Sequence, residues 1–318
     1  MTPAQLKTFV AVVRHGSSRA AAHELGVGET AVSNHIKALR TELDDQLFRR
    51  SGGHLVFTPG GLRLATRSLE MLGLQDQTRA EVLAAADGQR LLRLATSSLF
   101  AEYSAPGLIE LFATRAKDLR VELSVYPAHQ FADLLVRRAV DLALGPRLAA
   151  VSSEVVSTEF VRYQMVPVVG RSHRLAGKRL SIPEAHQQQW LLGPEALDVG
   201  GVANRMLTDL AIPDTRQLVF QSSEAAISEA RSGQGIALAL AHRVANEMKV
   251  GRLAAVDVGA GNSHGTWTAY SLERRQLTPA ASELLRFISS PRAMQAVLKG
   301  SGAHIARFRP SVHVTLWS

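Results

Sequence analysis

The spacing of the apolar residues changes at Asp87-Gly88-Gln89, and the change divides the chain into two kinds of structure. Before it, apolar side chains recur every three or four residues, the period of a helix. After it, short apolar runs alternate with helical stretches, the pattern of a mostly parallel α/β sheet. One core cannot serve both patterns. The chain has 318 residues. At roughly 150 residues per domain, two cores are expected. Each is large enough to need no disulfide or metal staple.

The chain has no cysteine. That excludes disulfides, thiol catalysis, Cys-ligated zinc and iron–sulfur clusters. Its start lacks a basic segment followed by an apolar one, so no secretory signal is read. The longest aliphatic run, Gly235 to Ala241, falls far short of the roughly 20 residues of a membrane span. A cytoplasmic protein with no membrane partner is the expectation. The net charge is +8, which permits a nucleic-acid partner. Residues 1–63 carry 8 basic and 5 acidic side chains, and five basic residues follow Glu283 with no acid among them. The excess positive charge is therefore not concentrated at the N-terminus.

In the first 60 residues, Leu6, Phe9, Val10 and Val13 lie on one face of a helix over 3–15. Gly16 ends it, and Ser17 caps a short helix, Arg19 to Leu25, whose inner face is Ala21, Ala22 and Leu25. Gly26-Val27-Gly28 is a turn. A third helix runs from Glu29 to Leu43 with Ala31, Val32, Ile36, Leu39 and Leu43 inward. Two helices around so short a turn are a helix-turn-helix, whose second helix fits the DNA major groove. Leu47 to Arg50 and Leu55 to Thr58, around Ser-Gly-Gly, form a hairpin or wing. The candidate DNA contacts are Ser17, Arg19, Glu29, Thr30, Ser33, Asn34 and Lys37, with Arg49, Arg50 and His54 on the wing. Glu29 has two readings: an acceptor for a base amine, or an acid at the positive end of the helix dipole.

The run AVVRHGSSRAAAHELGVGETAVSNHIKALRTELDDQLFRR, then LVFTPGG, resembles the winged helix-turn-helix of LysR-type transcriptional regulators. Phe9, Gly16, Ser17, Ala21, Ala22, Leu25, Val27, Ala31, Ser33, Ile36, Leu39, Leu43, Leu47, Phe48, Arg50, Thr58 and Gly61 carry the resemblance. It implies double-stranded DNA with two-fold symmetry as a partner. The departures lie near the reading face. Gly28-Glu29-Thr30 stands where the family usually has Ser-Gln-Pro, and Asn34 where arginine is frequent. Ser18 replaces a phenylalanine and Asp44 a glycine.

Thr58-Pro59 is an N-cap and first-turn pair for a helix reaching Ala86. Leu62, Ala65, Leu69 and Leu72 alternate steps of three and four, a short coiled-coil seam. They are the candidate dimerisation residues. Packing on the chain's own body is the other reading. The resemblance implies that this helix pairs subunits in a homodimer or homotetramer.

Beyond residue 88, strands are read at Leu91–Ala95, Arg120–Tyr126, Asp141–Gly145, Val155–Val161, Gln164–Gly170, Trp190–Leu192, Gln217–Phe220, Gly235–Leu240, Arg252–Val258 and Thr266–Leu272. Helices are read at Glu102–Arg115, Gln130–Ala139, Val202–Leu210, Ser223–Arg231 and from Thr278 or Pro279 to Ile288. VDLALG at 140–145 and SEAAISEARSGQGIALA at 223–239 resemble the family's two-lobed effector domain, similar to type 2 periplasmic binding proteins. The expected fold is thus α/β with an all-α winged head. Its domains are a head (1–58), a linker helix (59–87), an effector domain (88–300) and a tail (301–318). Lobe I would hold about 88–160 and 269–300, and lobe II about 161–268.

Ligands of open α/β sheets sit at the carboxyl ends of strands. Thr96, Ser97, Ser98, Ser222 and Ser223 lie where strands feed helices, and are helix caps or ligand contacts. Helix N-termini suit small anions, so an anionic small-molecule effector is expected. His129, Gln130, Gly145 and Pro146 follow other strand ends. No Gly-x-Ser-x-Gly elbow, phosphate-binding loop or metal-spaced histidine pair occurs, so neither an enzyme, a cofactor nor a metal is expected. The alternative function is a small-molecule sensor whose head has lost specific DNA binding, a reading motivated by Glu29. The tail mixes apolar and basic residues. It is read as a strand, a subunit contact or a segment without fixed structure.

Overall fold

The structure, a computed structural model, describes residues 1–51, 54–259, 263–299 and 312–315. The chain divides into two compact units, Met1–Leu83 with Val136–Ala139, and Ala84–Leu135 with Val140–Ser318.

The first unit is built on three helices. Helix α1 (Pro3–His15) opens with a reciprocal cap, Thr2 accepting from the Gln5 N–H and Gln5 from the Thr2 N–H. It stops at Gly16, whose φ of 63° suits glycine. The Ser17 hydroxyl caps α2 (Ser18–Leu25). The alanines Ala21 and Ala22 are buried there and let α2 approach α1 and α3 (Glu29–Leu43) closely. Phe9, Val12, Val32, Ile36 and Leu39 complete the core. Burial of each such side chain contributes roughly 1.5–3 kcal/mol. Leu43, inward by its spacing, is 40% exposed as the last residue of α3.

Strands β1 (Phe48–Ser51) and β2 (His54–Phe57) pair with Phe48 opposite Phe57. Phe48 also stacks on Phe9, which seats the hairpin on the helices. Arg40 pins it further, donating to the Gln46 and Phe48 carbonyls at 2.7 and 2.8 Å. Thr58 starts α4 (Pro59–Ala86), its hydroxyl accepting from the Gly61 N–H and donating to Asp45. A side chain at Gly61 would put its Cβ 1.9 Å from the Leu47 carbonyl oxygen, so the wing and α4 meet only through glycine.

The second unit contains β3 (Arg90–Thr96), α5 (Ser98–Tyr103), α6 (Ala105–Ala113), β4 (Leu119–Val125), α7 (Phe131–Val136), β5 (Leu142–Pro146) and β6 (Val156–Gly170). Next come α8 (Ile182–His186), β7 (Trp190–Leu192), α9 (Val202–Asp209), β8 (Gln217–Val219), α10 (Ser223–Arg231), β9 (Ile236–Leu240), α11 (Ala241–Lys249) and β10 (Leu253–Ala255). β11 (His264–Ser271), α12 (Pro279–Ile288), α13 (Pro291–Lys299) and β12 (Val312–Thr315) follow. Among the described residues the strand order is β12-β4-β3-β5-β11-β6-β9-β7-β8, with β10 on β6. β12, β4, β3 and β5 run parallel, as do β9, β7 and β8. β11 is antiparallel to β5 and β6, and β6 to β9. Strands β6 and β11 therefore belong to both lobes and join them.

The sequence boundaries need correction at several places. The two strands expected over 155–170 are one, because Arg162 and Tyr163 keep pairing with Thr266 and Gly265. The helix expected over 102–115 is two. Pro106 lies in the first turn of α6, and its ring excludes an unbroken helix through this point. The helix expected over 130–139 begins as a 3₁₀ turn at Ala128–Gln130 and ends at Val136. The strand expected over 252–258 spans only Leu253–Ala255. Helices α8, α11 and α13 were not read from the sequence. Four tail residues form β12 beside β4. The remaining tail residues, 301–311 and 316–318, lie outside the described residues.

Candidate DNA-reading face and inter-lobe cleft

The exposed side of α3 carries Thr30, Ser33, Asn34 and Lys37, while Val32, Ile36 and Leu39 are buried on the opposite side. Thr41, one turn beyond Lys37, extends the exposed row and was not anticipated. Ser17 is half-buried, its hydroxyl spent on the α2 cap. Arg19 and Glu29 form an exposed ion pair at 3.8 Å, which offsets part of the charge that Glu29 brings to the face. Arg49 is exposed on the wing; the side chains of Arg50 and His54 lie outside the described residues.

On α4 the expected seam is divided. Ala65 and Leu72 pack against the head's own core, and Leu69 is half-buried. Leu62 is 58% exposed. A second set of exposed apolar side chains follows it along the helix: Met71, Leu74, Val82 and Leu83.

In the second unit the expected caps behave unequally. Ser222 caps α10, its hydroxyl accepting from the Ala225 N–H. Ser97 occupies the cap position of α5 without a capping hydrogen bond. The hydroxyls of Thr96 and Ser97 are both buried and unpartnered. Gly145 is required because a Cβ there would meet the Phe131 ring at 2.7 Å. His129 and Gln130 are exposed.

The expected anion site at the start of α10 is already filled. Glu102, on α5 in lobe I, accepts from the backbone N–H groups of Ser223 and Glu224 at 3.0 and 2.8 Å. A carboxylate there is favoured by the helix dipole and by two free donors. Asp198, in lobe II, accepts in return from the Ala128 N–H of lobe I, and burial raises its pKa. Two carboxylates thus cross the cleft in opposite directions. Glu195 is buried beneath them, with the Ser223 hydroxyl donating to it at 2.8 Å. Desolvation pushes its pKa up to about 7.

Of the expected effector residues, Ser97 and Pro146 line a small inner cavity of about 10 Å³, room for one water-sized group. Glu195, Asp198, Tyr163 and Trp267 complete much of its wall. The rings of Tyr163 and Trp267 stack with centroids 4.1 Å apart. A wider outer cavity of about 410 Å³ shares Pro146, Tyr163 and Val202 with it and carries Arg147, Arg205 and His264. Sequence reasoning missed the carboxylates and both arginines. Only Arg147, next to the strand end at Pro146, had a positional signal.

These features agree with the comparisons to known proteins. Residues 3–62 match the bacterial regulatory helix-turn-helix protein, lysR family, and residues 85–290 match the LysR substrate binding domain. The chain belongs to the LysR family of transcriptional regulators. It is 50% identical over 321 residues to an uncharacterized HTH-type transcriptional regulator of Mycobacterium tuberculosis, covering 100% of both chains. The RuBisCO operon transcriptional regulator of Allochromatium vinosum is 28% identical over 295 residues, covering 91% of this chain and 96% of that one. Among solved structures, the LysR-family regulator CbnR has a TM-score of 0.56 at 17% identity, covering 93% of this chain and 99% of that chain. Full-length CbnR in complex with its target DNA has a TM-score of 0.55 at 18% identity, covering 91% and 99%. As a LysR-type regulator the chain is a DNA-binding transcription factor with an effector domain. Among the described residues no helix is long and apolar enough to cross a membrane.

Proposed function

We propose that this LysR-type regulator reads a two-fold promoter site through Thr30, Ser33, Asn34, Lys37 and Thr41, with Arg49 and the rest of the wing on the flanking backbone. The observation that carries this reading is the division of α3 into a buried apolar side and an exposed polar row. Arg19 and Glu29 act as a pair at the edge of the row, so Glu29 is a modulator of sequence preference rather than a bar to binding. Subunits pair through the exposed apolar side of α4, presenting two recognition helices to one DNA face. The regulator works in the cytoplasm and catalyses no reaction. A small molecule in the inter-lobe cleft shifts the balance between open and closed lobes, through unequal affinity for the two states.

The test is binding of the full-length protein to the DNA immediately upstream of its own gene across a salt series, with scrambled DNA as control. Specific binding is expected, its logarithm falling steeply with the logarithm of salt concentration. Lys37→Ala should reduce the slope by about one. Equal, salt-insensitive binding to both DNAs overturns the proposed face.

A further inference from the structure

The chemistry of the cleft narrows the class of effector, on the reading that the effector binds there. Three buried groups facing the inner cavity have unmet hydrogen-bonding capacity: Ser97 Oγ, Glu195 Oε1 and Trp267 Nε1. They are 1%, 5% and 0% exposed. Leaving such groups unpaired away from water is costly, and three around one cavity make a matched set. Glu195 Oε1 calls for a donor. Trp267 Nε1 calls for an acceptor. Ser97 Oγ serves as either.

The surrounding charge specifies more. Glu195 and Asp198 line the inner cavity, and Glu102 lies close enough to Glu195 to disfavour its ionisation. A cation entering here would relieve that repulsion, and the stacked faces of Tyr163 and Trp267 would attract it. At the α10 N-terminus a free anion has no place, since Glu102 already holds it. The outer cavity has the opposite character. Arg205 is held there by the Gly200 and His264 carbonyls, and Arg147 stands at its rim. The two cavities meet at Pro146, Tyr163 and Val202, so one short molecule reaches both.

We propose that the cleft takes a small zwitterion of the α-amino carboxylate class. Its ammonium group lies against Glu195 and Asp198, and its carboxylate accepts from Trp267 and Ser97 and faces Arg147 and Arg205. The cleft thereby rejects simple anions of equal size.

Full-length protein is screened by thermal shift against the standard α-amino acids, the 2-hydroxy acids with the same side chains, and the corresponding amines without the carboxylate. Any ligand that stabilises is then titrated by calorimetry. An amino acid is expected to raise Tm, with the matched hydroxy acid and amine leaving it unchanged. Glu195→Gln and the rim variant Arg147→Gln should each weaken binding of that amino acid by about tenfold or more. Circular dichroism confirms that both variants fold. The proposal is overturned if the hydroxy acid binds as tightly, if Glu195→Gln binds as the wild type does, or if no amino acid shifts Tm. DNA binding of the same wild-type preparation separates the failures: DNA binding without amino-acid binding refutes this inference and leaves the regulator intact.

Discussion

At the scale of single residues, two positions show how local chemistry is set against the fold. Asp44 ends α3 in the left-handed region, with φ of 48°. That conformation is strained for most L-residues and free for glycine, which is why its family more often places glycine there. Asp44→Gly is expected to raise stability by roughly 0.5–1 kcal/mol, read as a higher Tm of the DNA-binding head. Glu195 is the second. Its ordinary pKa of 4.5 is pushed up to about 7 by burial. The folded state therefore binds more protons than the unfolded state between those values, and stability falls as pH rises through that window. The effect is on the order of 3 kcal/mol across the window. Glu195→Gln should remove this term, so its stability relative to wild type should be clearly greater at pH 8 than at pH 5 in urea unfolding. An unchanged difference between variant and wild type at the two values would show that the carboxyl is not the source.

At the scale of elements, α4 shows how one helix serves two faces. Its Ala65 and Leu72 side packs on the head, whereas Met71, Leu74, Val82 and Leu83 remain exposed. So much apolar surface on one helix marks an interaction site. Leu74→Glu places a charge on that exposed side without touching the head's core. Sedimentation velocity should then report a shift towards monomer at concentrations where the wild type is a dimer. An unaltered sedimentation profile would move the interface elsewhere. The element boundaries carry a related lesson. Pro106 splits one expected helix into α5 and α6, and that break leaves Glu102 in the last turn of α5, within reach of α10. Ala241 is the first residue of α11. This is a position where proline is favoured but not needed.

At the scale of the whole effector domain, the lobes are joined covalently by β6 and β11 and noncovalently by the reciprocal carboxylates Glu102 and Asp198. Removing a charged acceptor from two backbone donors costs about 1.5–3 kcal/mol. In Glu102→Ala, hydrogen exchange at the amides of Ser223 and Glu224 should accelerate by about tenfold or more. Unchanged protection at both amides would mean that the cross-lobe contact does not hold the lobes together.

Much of this organisation was legible in the sequence because it depends on neighbours along the chain. The period of Leu6, Phe9, Val10 and Val13, the glycine at position 16, the cap at Ser17 and the alternation beyond Gly88 all act over a few residues. They set the winged head, the long helix and the α/β class. The polar row on α3 was equally readable, since a helix of known register leaves the opposite side exposed. The cleft was not readable in the same way. Its strand ends were found, and Ser97 and Pro146 with them, but not the carboxylates that share the site. Serines at a helix start suggested an anion site, and only the tertiary structure brings Glu102 to the Ser223 N–H from 121 residues away. Glu195, Asp198, Arg205 and Trp267 are ordinary residues in their local sequence. They come together only because the fold brings residues distant in sequence into one small volume. Burial and charge proximity of that kind belong to the folded chain, and no local pattern records them.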